Sequence, residues 1–323
     1  MRKKGWPLKI GLPAAGALLI SLAGAASLAA ESVGCGEGVE VRLRLLGEAR
    51  SEAAGTAVEG QALAAAEQGR VVIVEIESAQ NLRELQAAWV GQRLHFWQEG
   101  GAAVNYRALL GVDLEHETGQ FPLTLQAGLA GGGRLACSAL VRVEEGQFRL
   151  ERLRVEPGFV TLSTRDRERA ERETIRLQEI FAGVTPERLW SGGFRAPLEA
   201  AEGSGNFGAR RVLNEEPRSP HGGEDFSAPK GTPVLAAGRG RVALAEELFF
   251  SGNTVVLDHG LGLYTFYGHL DTLAVEAGAV VEAGARVGTV GATGRVTGPH
   301  LHWAARLNRA RVNPLELVAL AAE

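Results

Sequence analysis

The amino-acid sequence predicts a mainly β protein with two domains joined by a helical connector. Short alternating or apolar runs separated by turn residues fill most of the chain, and one long charged segment has helix signals at both ends. The length of 323 residues is sufficient for two cores. We divide the chain into a signal peptide (1–30), an N-terminal β-sandwich-like domain (31–160), the connector (161–194) and a C-terminal antiparallel β-sheet domain (195–323).

The N-terminus has the three parts of a secretory signal. A basic stretch, MRKKGWPLK, precedes the apolar stretch IGLPAAGALLISLAGAA, and SLAAES provides small residues for cleavage near Ser27 and Ala29. We therefore expect export to the periplasm, the cell envelope or the medium. Glycine and proline interrupt the apolar stretch, which argues against a stable membrane span; retention as an uncleaved anchor is the alternative.

Charge and cysteine content narrow the class further. The formal net charge is −4 and becomes −8 without the four basic residues of the N-terminus, which argues against a general nucleic-acid binder. Cys35 and Cys137 are the two cysteines, and in an oxidising compartment such a pair is most simply a disulfide. Lipid attachment at Cys35 is the competing interpretation, but Ser32 stands where lipoprotein signals usually have leucine.

Short strands predict the N-terminal domain. VVIVEI (71–76), RLHFW (93–97) and FPLTLQA (121–127) are apolar or alternating runs, and LVRV and FRLERLRV alternate on either side of the turn EEGQ. Several such strands with turns between them suggest a small antiparallel sandwich. His95 and His116 lack acidic or cysteine partners at a recognised ligand spacing, so we interpret both as ordinary strand or turn residues.

The connector contains LSTRDRERAERETIRLQEIFAG. Ser163 or Thr164 can cap a helix at its start, and Gly183 can end it. The apolar stripe of this helix is narrow and consists of Ile175, Leu177, Ile180 and Phe181. We therefore expect a solvated helix that joins two domains.

The C-terminal region returns to β character and contains most of the histidines. VLAAGRGRVALAE, NTVVLDHG, LYTFYGHL and RVGTVGATG are short strands broken by Gly, Asn and Asp turns. Five of the seven histidines fall in this last third, and such clustering favours a site. His300 and His302 are separated by one residue, so in a strand both imidazoles point to the same face. Taken alone, these two residues are equally compatible with an exposed pair.

A second motif completes a candidate metal site. HGGED places His221 and Asp225 four residues apart, and both can reach one ion if the intervening glycines let the backbone turn. A catalytic zinc usually takes three protein ligands from His, Asp and Glu and leaves a fourth position for water. One histidine of the HLH pair can supply the third ligand, and the remaining histidines are then available for proton transfer and oxyanion stabilisation. The sequence has neither a G-x-S-x-G serine nor a phosphate-binding loop, so metal-assisted hydrolysis is the predicted chemistry.

These motifs resemble the lysostaphin-type (LytM-type) zinc endopeptidases of bacterial cell walls. That family has an H-x-x-x-D motif followed by an H-x-H motif, which here read SPHGGEDFSAPKGTPVLAAGRGRV and GATGRVTGPHLHW, with LDHGLGLYTFYGHL between them. The close resemblance covers about 195–314. RALLGVDLEHETGQFPLTL is more weakly similar to the β domain that precedes the peptidase in many secreted members.

The resemblance implies a role for each site residue. It makes His221, Asp225 and His302 the ligands of a Zn²⁺ ion. His300 becomes the general base that activates water, and His269 becomes the second catalytic histidine, which steadies the negative charge of the tetrahedral intermediate. The implied reaction is hydrolysis of a peptide bond in the stem peptides or cross-bridges of peptidoglycan.

Two other functions remain compatible with the sequence, and three residues need comment. The alternatives are a catalytically silent wall-binding regulator that activates a partner peptidoglycan hydrolase, and a zinc hydrolase of other secreted proteins. Glu224 stands where the family commonly has an apolar residue, and Asn313 replaces the common aspartate of a V-D-P ending; neither is an expected ligand, so both bear on packing or substrate preference. His259 matches no ligand or catalytic position and is interpreted as a residue of the DHG turn.

Overall fold

The computed structural model describes residues 32–46, 62–99, 104–153, 162–199 and 202–320. Within these ranges the chain is mainly β, as predicted, with one long and one short helix. The predicted signal peptide (1–30) lies outside the described residues. Neither helix combines the length and the hydropathy that a membrane crossing requires.

The N-terminal domain is a sandwich of two five-stranded sheets. Its strands are β1 (Ser32–Gly36), β2 (Val39–Leu45), β3 (Ala62–Glu67), β4 (Val71–Ser78), β5 (Leu82–Trp89), β6 (Gln92–Leu94), β7 (Trp97–Glu99), β8 (Val104–Gly111), β9 (Gly119–Leu129) and β10 (Arg134–Glu144). The strand orders are β1-β2-β4-β8-β7 and β3-β10-β9-β5-β6. Neighbours pair antiparallel except for β3 and β10, which are parallel. Apolar residues of both sheets pack into one core, which confirms the predicted sandwich.

Strand β4 explains why VVIVEI begins with four apolar residues in succession. Val72, Val74 and Ile76 point into the core of the sandwich. Val71 and Ile73 point to the opposite face, where they join a second core that they share with the C-terminal domain. A strand that is buried on both faces has no polar face, and so the alternation expected of a half-buried strand is lost.

The predicted disulfide is present. Cys35 on β1 is bonded to Cys137 on β10, with 5.6 Å between their Cα atoms and a sequence separation of 102. Because β1 and β10 belong to different sheets, the bond joins the two layers of the sandwich.

The C-terminal domain is built on a nine-stranded sheet. Its strands are β14 (Glu224–Phe226), β15 (Pro233–Leu235), β16 (Gly240–Leu248), β17 (Gly252–Gly260), β18 (Leu263–Leu273), β19 (Val280–Val281), β20 (Arg286–Val290), β21 (Leu301–Leu307) and β22 (Ala310–Val312), and a separate three-stranded sheet consists of β11 (Leu150–Leu153), β12 (Arg210–Leu213) and β13 (Glu216–Pro217). Six strands of the nine-stranded sheet follow the order β14-β21-β18-β17-β16-β19. Outside this order, β20 pairs with β15 and β18, and β22 pairs with β21. All pairs of this sheet are antiparallel, as predicted.

Two predicted strands differ in the structure. RLHFW (93–97) is not one strand, because β6 ends at Leu94 and β7 begins at Trp97 in the other sheet. FRLERLRV contributes β11, which leaves the sandwich and pairs in parallel with β12 beside the C-terminal domain. In both places the chain changes sheets, and an alternating pattern does not report which sheet a strand joins.

The connector forms helix α1 (Thr164–Ala182), with the predicted ends. The Ser163 hydroxyl oxygen accepts a hydrogen bond from the Asp166 N–H at 3.1 Å, and Gly183 follows the last turn. Ile175 is 55% exposed, so the buried stripe is narrower than the sequence predicts. The packed stripe is Leu177, Ile180 and Phe181, against Leu244, Leu248, Val256 and Tyr264 of the nine-stranded sheet.

The two domains share a polar and an apolar interface. Asp113 of the N-terminal domain forms an ion pair with Arg311, at 2.6 Å between Oδ1 and Nη2. Glu316 on helix α2 (Pro314–Ala319) accepts a hydrogen bond from the Val71 N–H at 2.7 Å. Asn313 caps the start of α2, because its Oδ1 accepts a hydrogen bond from the Leu315 N–H at 3.0 Å, a role that an aspartate fills equally well.

Candidate metal centre

Strand register brings two of the predicted metal ligands together. In the antiparallel pair β14–β21, Asp225 is directly opposite His302. Side chains that are directly opposite lie on the same face of a sheet, so the carboxylate and the imidazole meet. On the other side of β21, β18 places Gly268 opposite His302, and His269 follows at once.

A glycine lets the third predicted ligand approach this pair. His221 precedes β14 and is 6% exposed. A Cβ atom at Gly223 would lie 2.6 Å from the Trp303 carbonyl oxygen and 2.7 Å from Cε1 of His302. Only glycine lets the chain pass so closely over β21, and this close passage turns His221 back toward Asp225.

The three side chains converge on one point. His221 Nε2 and His302 Nδ1 are 3.0 Å apart, and Asp225 Oδ1 lies 3.2 Å from the first and 2.8 Å from the second. Ligand atoms of a tetrahedral zinc ion with bonds of about 2.05 Å are separated by about 3.3 Å. Two imidazole nitrogens and one carboxylate oxygen are also a ligand set typical of zinc. The donor atoms therefore fit a zinc ion in both type and spacing.

Hydrogen bonds behind the ligands set their orientation. The Nδ1–H of His221 donates to the Asn206 carbonyl oxygen at 3.1 Å, which leaves Nε2 with the lone pair that a metal requires. The Asn206 side chain donates from Nδ2 to Asp225 Oδ2 at 2.9 Å. Arg211 Nη2 lies 3.6 Å from the same oxygen, so Asp225 Oδ1 remains the oxygen that faces the histidines.

The electrostatics favour the protonation states that bind metal. Burial acts to raise the pKa of Asp225, but the interactions of its carboxylate with the His221 and His302 rings outweigh it and hold that pKa well below its usual range. Burial is the main cause that lowers the pKa of His302, and it outweighs the opposing effect of Asp225. At neutral pH the cluster is therefore a carboxylate beside a neutral His302 imidazole, as a metal ion requires.

The two predicted catalytic histidines border this cluster. His300 Nε2 lies 3.9 Å from Asp225 Oδ1, and its ring centroid is 4.8 Å from that of His269. His300 and His302 thus lie on the same side of the sheet, as predicted, although β21 begins only at Leu301. The Nδ1–H of each bordering ring can donate to a backbone oxygen at 3.0 Å, from His300 to Gly298 and from His269 to Thr293. In that tautomer each ring keeps Nε2 as its proton acceptor.

His269 has an unusual backbone conformation. Its φ is +61°, in the left-handed region that a residue with a side chain seldom adopts. The residue lies at an irregularity of the β17–β18 pair, and its N–H donates to the Ser251 carbonyl oxygen at 2.6 Å. Burial is the main cause that lowers its pKa to about 4, with a further lowering by His302. Strained residues cluster at functional sites, and His269 fits that pattern.

The other histidines lie apart from this cluster. His259 is fully buried, and its ring nitrogens pair with the Arg239 carbonyl oxygen at 2.8 Å and with the Thr265 hydroxyl at 2.7 Å. It therefore holds strands together, which extends the turn role that the sequence suggests. His116 stacks on Trp89 at 4.8 Å in the sandwich, as an ordinary structural residue does.

Sequence reasoning missed Asn206 and misjudged the significance of Glu224. Asn206 contacts two of the three candidate ligands, although it lies outside both histidine motifs. The available signal was weak: a polar residue inside the glycine-rich stretch GSGNFG, shortly before HGGED. Glu224 is 1% exposed and is thus a buried charge beside a candidate ligand, which its sequence position did not indicate.

Part of the chain is similar in sequence to known peptidases. Residues 219–314 match peptidase family M23. Over 101 residues the chain is 46% identical to the peptidoglycan DD-endopeptidase ShyA of Vibrio cholerae, and this alignment covers 31% of this chain and 24% of that protein. Over 127 residues it is 39% identical to the DD-carboxypeptidase/endopeptidase Mpg of Neisseria meningitidis, and this alignment covers 39% of this chain and 29% of that protein. The chain thus matches only about a quarter of the length of these curated relatives.

A solved structure resembles a larger part of the chain. The crystal structure of a candidate peptidase M23 from Pseudomonas aeruginosa is 28% identical and aligns with a TM-score of 0.56. The alignment covers 78% of this chain and 95% of that one, so the similarity extends beyond the C-terminal domain.

Proposed function

Since residues 219–314 belong to peptidase family M23, we propose that this protein is an exported zinc endopeptidase that hydrolyses peptide bonds in the stem peptides or cross-bridges of peptidoglycan. The convergence of His221, Asp225 and His302 carries this proposal, because their ligand atoms all lie within 4.8 Å of one another. The substrate class rests on the names of the relatives ShyA and Mpg.

His221 Nε2, Asp225 Oδ1 and His302 Nδ1 would hold the ion. When bound, zinc supplies a Lewis acid that polarises the scissile carbonyl and lowers the pKa of a water molecule to about 7. Asn206 and Arg211 keep Asp225 oriented during the reaction through their contacts with its second oxygen.

His300 is the proposed general base. Its Nδ1–H is engaged by the Gly298 carbonyl oxygen, so Nε2 is free to accept a proton, and this atom lies beside the ligand cluster. The water oxygen bonds to the carbonyl carbon of the substrate while His300 removes a proton from that water. Delivery of this proton to the amide nitrogen then lets the carbon–nitrogen bond break, which yields a carboxylic acid and an amine; the acid then passes its proton to the amine, which gives a carboxylate and an ammonium group.

His269 is proposed to stabilise the negative charge that develops on the carbonyl oxygen. Its Nδ1–H is paired with the Thr293 carbonyl oxygen and the ring is neutral at pH 7, so it acts from Nε2 by taking up a proton from the solvent as the negative charge develops. Its fixed backbone and its neighbour His300 hold the ring at the edge of the cluster.

Export is part of the proposal. The N-terminal segment reads as a secretory signal, and the Cys35–Cys137 disulfide suits an oxidising compartment outside the cytoplasm. We assign the peptidase to 195–323 and the sandwich to 31–160. The alternative of a silent regulator that activates a partner hydrolase is not favoured, because all five candidate metal-binding and catalytic side chains occur together.

Digestion of isolated cell-wall sacculi tests the proposal. The purified protein is incubated with sacculi, and the released fragments are identified by mass spectrometry. We expect new peptide termini, their loss after chelation, and their return when zinc is added. An absence of released peptides from a zinc-loaded, folded protein would contradict the endopeptidase assignment.

A further inference from the structure

A buried carboxylate beside the candidate metal centre has no part in the chemistry proposed above. Glu224 precedes Asp225 on β14 and is 1% exposed. Successive residues of a strand point to opposite faces, so Glu224 points away from the cluster that Asp225 faces. Burying a carboxylate is costly unless hydrogen bonds replace its water, and its partners therefore indicate its role.

The partners of Glu224 are three successive backbone N–H groups of the glycine-rich loop 203–208. Oε1 accepts hydrogen bonds from the Gly205 N–H and, at 3.4 Å, from the Asn206 N–H. Oε2 accepts from the Phe207 N–H at 3.2 Å. The loop lies so close that a Cβ atom at Gly203 would be 2.8 Å from the Glu224 side chain. The carboxylate thus helps to hold this loop over β14, together with backbone bonds from the Ser204 N–H to the Asp225 carbonyl oxygen at 2.9 Å and from the Gly208 N–H to the His221 carbonyl oxygen at 2.8 Å.

The same loop contacts two candidate metal ligands through Asn206, which is 9% exposed. Its carbonyl oxygen accepts from His221 Nδ1 at 3.1 Å. Its side chain forms two hydrogen bonds with Asp225. Asn206 Nδ2 donates to Asp225 Oδ2 at 2.9 Å, and Asn206 Oδ1 accepts from the Asp225 N–H at 3.1 Å. One loop residue therefore sets the tautomer of one ligand and the carboxylate orientation of another.

We propose that Glu224 is a positioning residue for the metal centre, because it orders loop 203–208 so that Asn206 orients His221 and Asp225. This inference rests on the proposed function, since it takes these two residues as metal ligands. It gives a purpose to a charged side chain at a position that is commonly apolar in the family that the motifs resemble.

A second anchor of the loop cannot replace Glu224. Arg149 donates hydrogen bonds to the carbonyl oxygens of Ser204 and Gly205. These bonds engage acceptors, whereas Glu224 supplies the acceptor for the N–H groups of the loop. An apolar residue at position 224 would leave those N–H groups without this acceptor, which is most costly for the buried Asn206.

Substitutions of Glu224 separate this role from simple packing. Glu224→Gln keeps the size of the side chain and one carbonyl oxygen, but its NH₂ group cannot accept from the loop. Glu224→Leu removes both acceptors. Loss of an outer-shell partner typically weakens metal binding 10–100-fold, so we expect about that loss for Glu224→Leu and a loss near the lower end of the range for Glu224→Gln. Glu276→Gln, at an exposed turn, is the matched control.

The experiment measures the zinc dissociation constant of the full chain by competition with a chromophoric chelator. Asn206→Ala and the double variant Glu224→Gln/Asn206→Ala are included. If Glu224 acts through Asn206, the loss of zinc affinity in the double variant is smaller than the sum of the two single losses, because Asn206→Ala removes the side-chain bonds to Asp225 but keeps the carbonyl oxygen that accepts from His221. Hydrogen exchange of peptides that contain loop 203–208 should be faster in both Glu224 variants than in Glu276→Gln.

Each outcome decides between the two claims. Wild-type zinc affinity in folded Glu224→Gln and Glu224→Leu overturns the positioning role and leaves the proposed function standing. Additive losses in the double variant also overturn it, because Glu224 would then act by another route. A wild-type protein that binds no zinc overturns the proposed function and this inference with it. If Glu224→Leu does not fold, Glu224→Gln alone decides.

Discussion

Asp225 and His302 face each other across the β14–β21 pair, with 2.8 Å between Oδ1 and Nδ1. The next pair in register, Phe226 and Leu301, is buried in the core of the C-terminal domain. A slip of one residue would turn the apolar pair outward and the ligands inward, so the buried pair opposes any change of register. Core packing therefore maintains the spacing of the candidate metal ligands.

Replacement of His302 should abolish metal binding. His302→Ala removes one of the three candidate ligands, and we expect loss of both zinc and activity, against one zinc per chain in the wild type. Elemental analysis of the purified proteins measures this directly. His95→Ala, at a half-buried site of the sandwich, is the control and should keep its zinc. Retention of a full zinc equivalent in His302→Ala would show that the ligand set is misassigned.

Replacement of His300 or His269 should slow turnover without loss of zinc. All three candidate ligands remain in each variant, but the proposed base or the proposed charge-stabilising ring is gone. General-base contributions are typically about 10²–10⁴-fold, so we expect the rate for His300→Ala to fall by that order and His269→Ala to behave similarly. Zinc content and the rate of sacculus digestion are measured on the same preparations. Near-wild-type rates in zinc-loaded His300→Ala would exclude it as the base.

Much of the candidate site could be predicted from sequence because its motifs are local. In HGGED the glycines bring His221 near Asp225, and in HLH the strand period puts His300 and His302 on one side. These relations depend on a few neighbouring residues and on the elementary geometry of strands.

The remaining features depend on contacts between distant segments. Asn206 reaches Asp225 only because loop 203–208 folds over β14, and no periodicity of the sequence reports that path. Similarly, VVIVEI was recognised as a strand, but its second buried face appears only when Val71 and Ile73 meet the C-terminal domain. The segment around Leu94 and Trp97 was misread as one strand because its pattern does not reveal the change of sheet.

Acid should release the metal ion. Burial lowers the pKa of His302 below its ordinary value of 6.5, so the neutral, metal-binding imidazole persists into mildly acidic solution. A bound ion competes with the proton and moves release to still lower pH. We therefore expect zinc to be retained at pH 7 and lost only below pH 6.5, as measured by dialysis at each pH followed by elemental analysis. Release with a midpoint above this value would contradict the protonation states assigned to the cluster.

The disulfide should stabilise the sandwich. Cys35 and Cys137 close a loop with a sequence separation of 102, and such bonds typically contribute about 2–4 kcal/mol. The double variant Cys35→Ala/Cys137→Ala should lower the free energy of unfolding by that amount in urea titrations. Treatment with a reductant is the control. It should lower the free energy of unfolding of the wild type by the same amount and leave that of the double variant unchanged. Free thiols or a lipid on Cys35 in non-reducing peptide mapping would contradict the bond.

The ion pair between Asp113 and Arg311 should make the domain interface sensitive to acid. Burial acts to raise the pKa of Asp113, but the hydrogen bonds and the charge of Arg311 outweigh it, so this pKa is lowered from 3.8. A carboxyl with a depressed folded-state pKa contributes its full stability above the unfolded-state value, and the contribution is lost as the pH falls through the folded-state value. We expect Asp113→Asn to lower the free energy of unfolding by about 1–3 kcal/mol at pH 7, as for hydrogen bonds to charged groups. The difference from the wild type should shrink below pH 3.8 in urea titrations.

Glu282→Gln breaks an exposed ion pair with Arg239 and, as the control, should change stability by less than about 1 kcal/mol. A difference for Asp113→Asn that stays constant into strong acid would show that the carboxylate charge does not hold the interface.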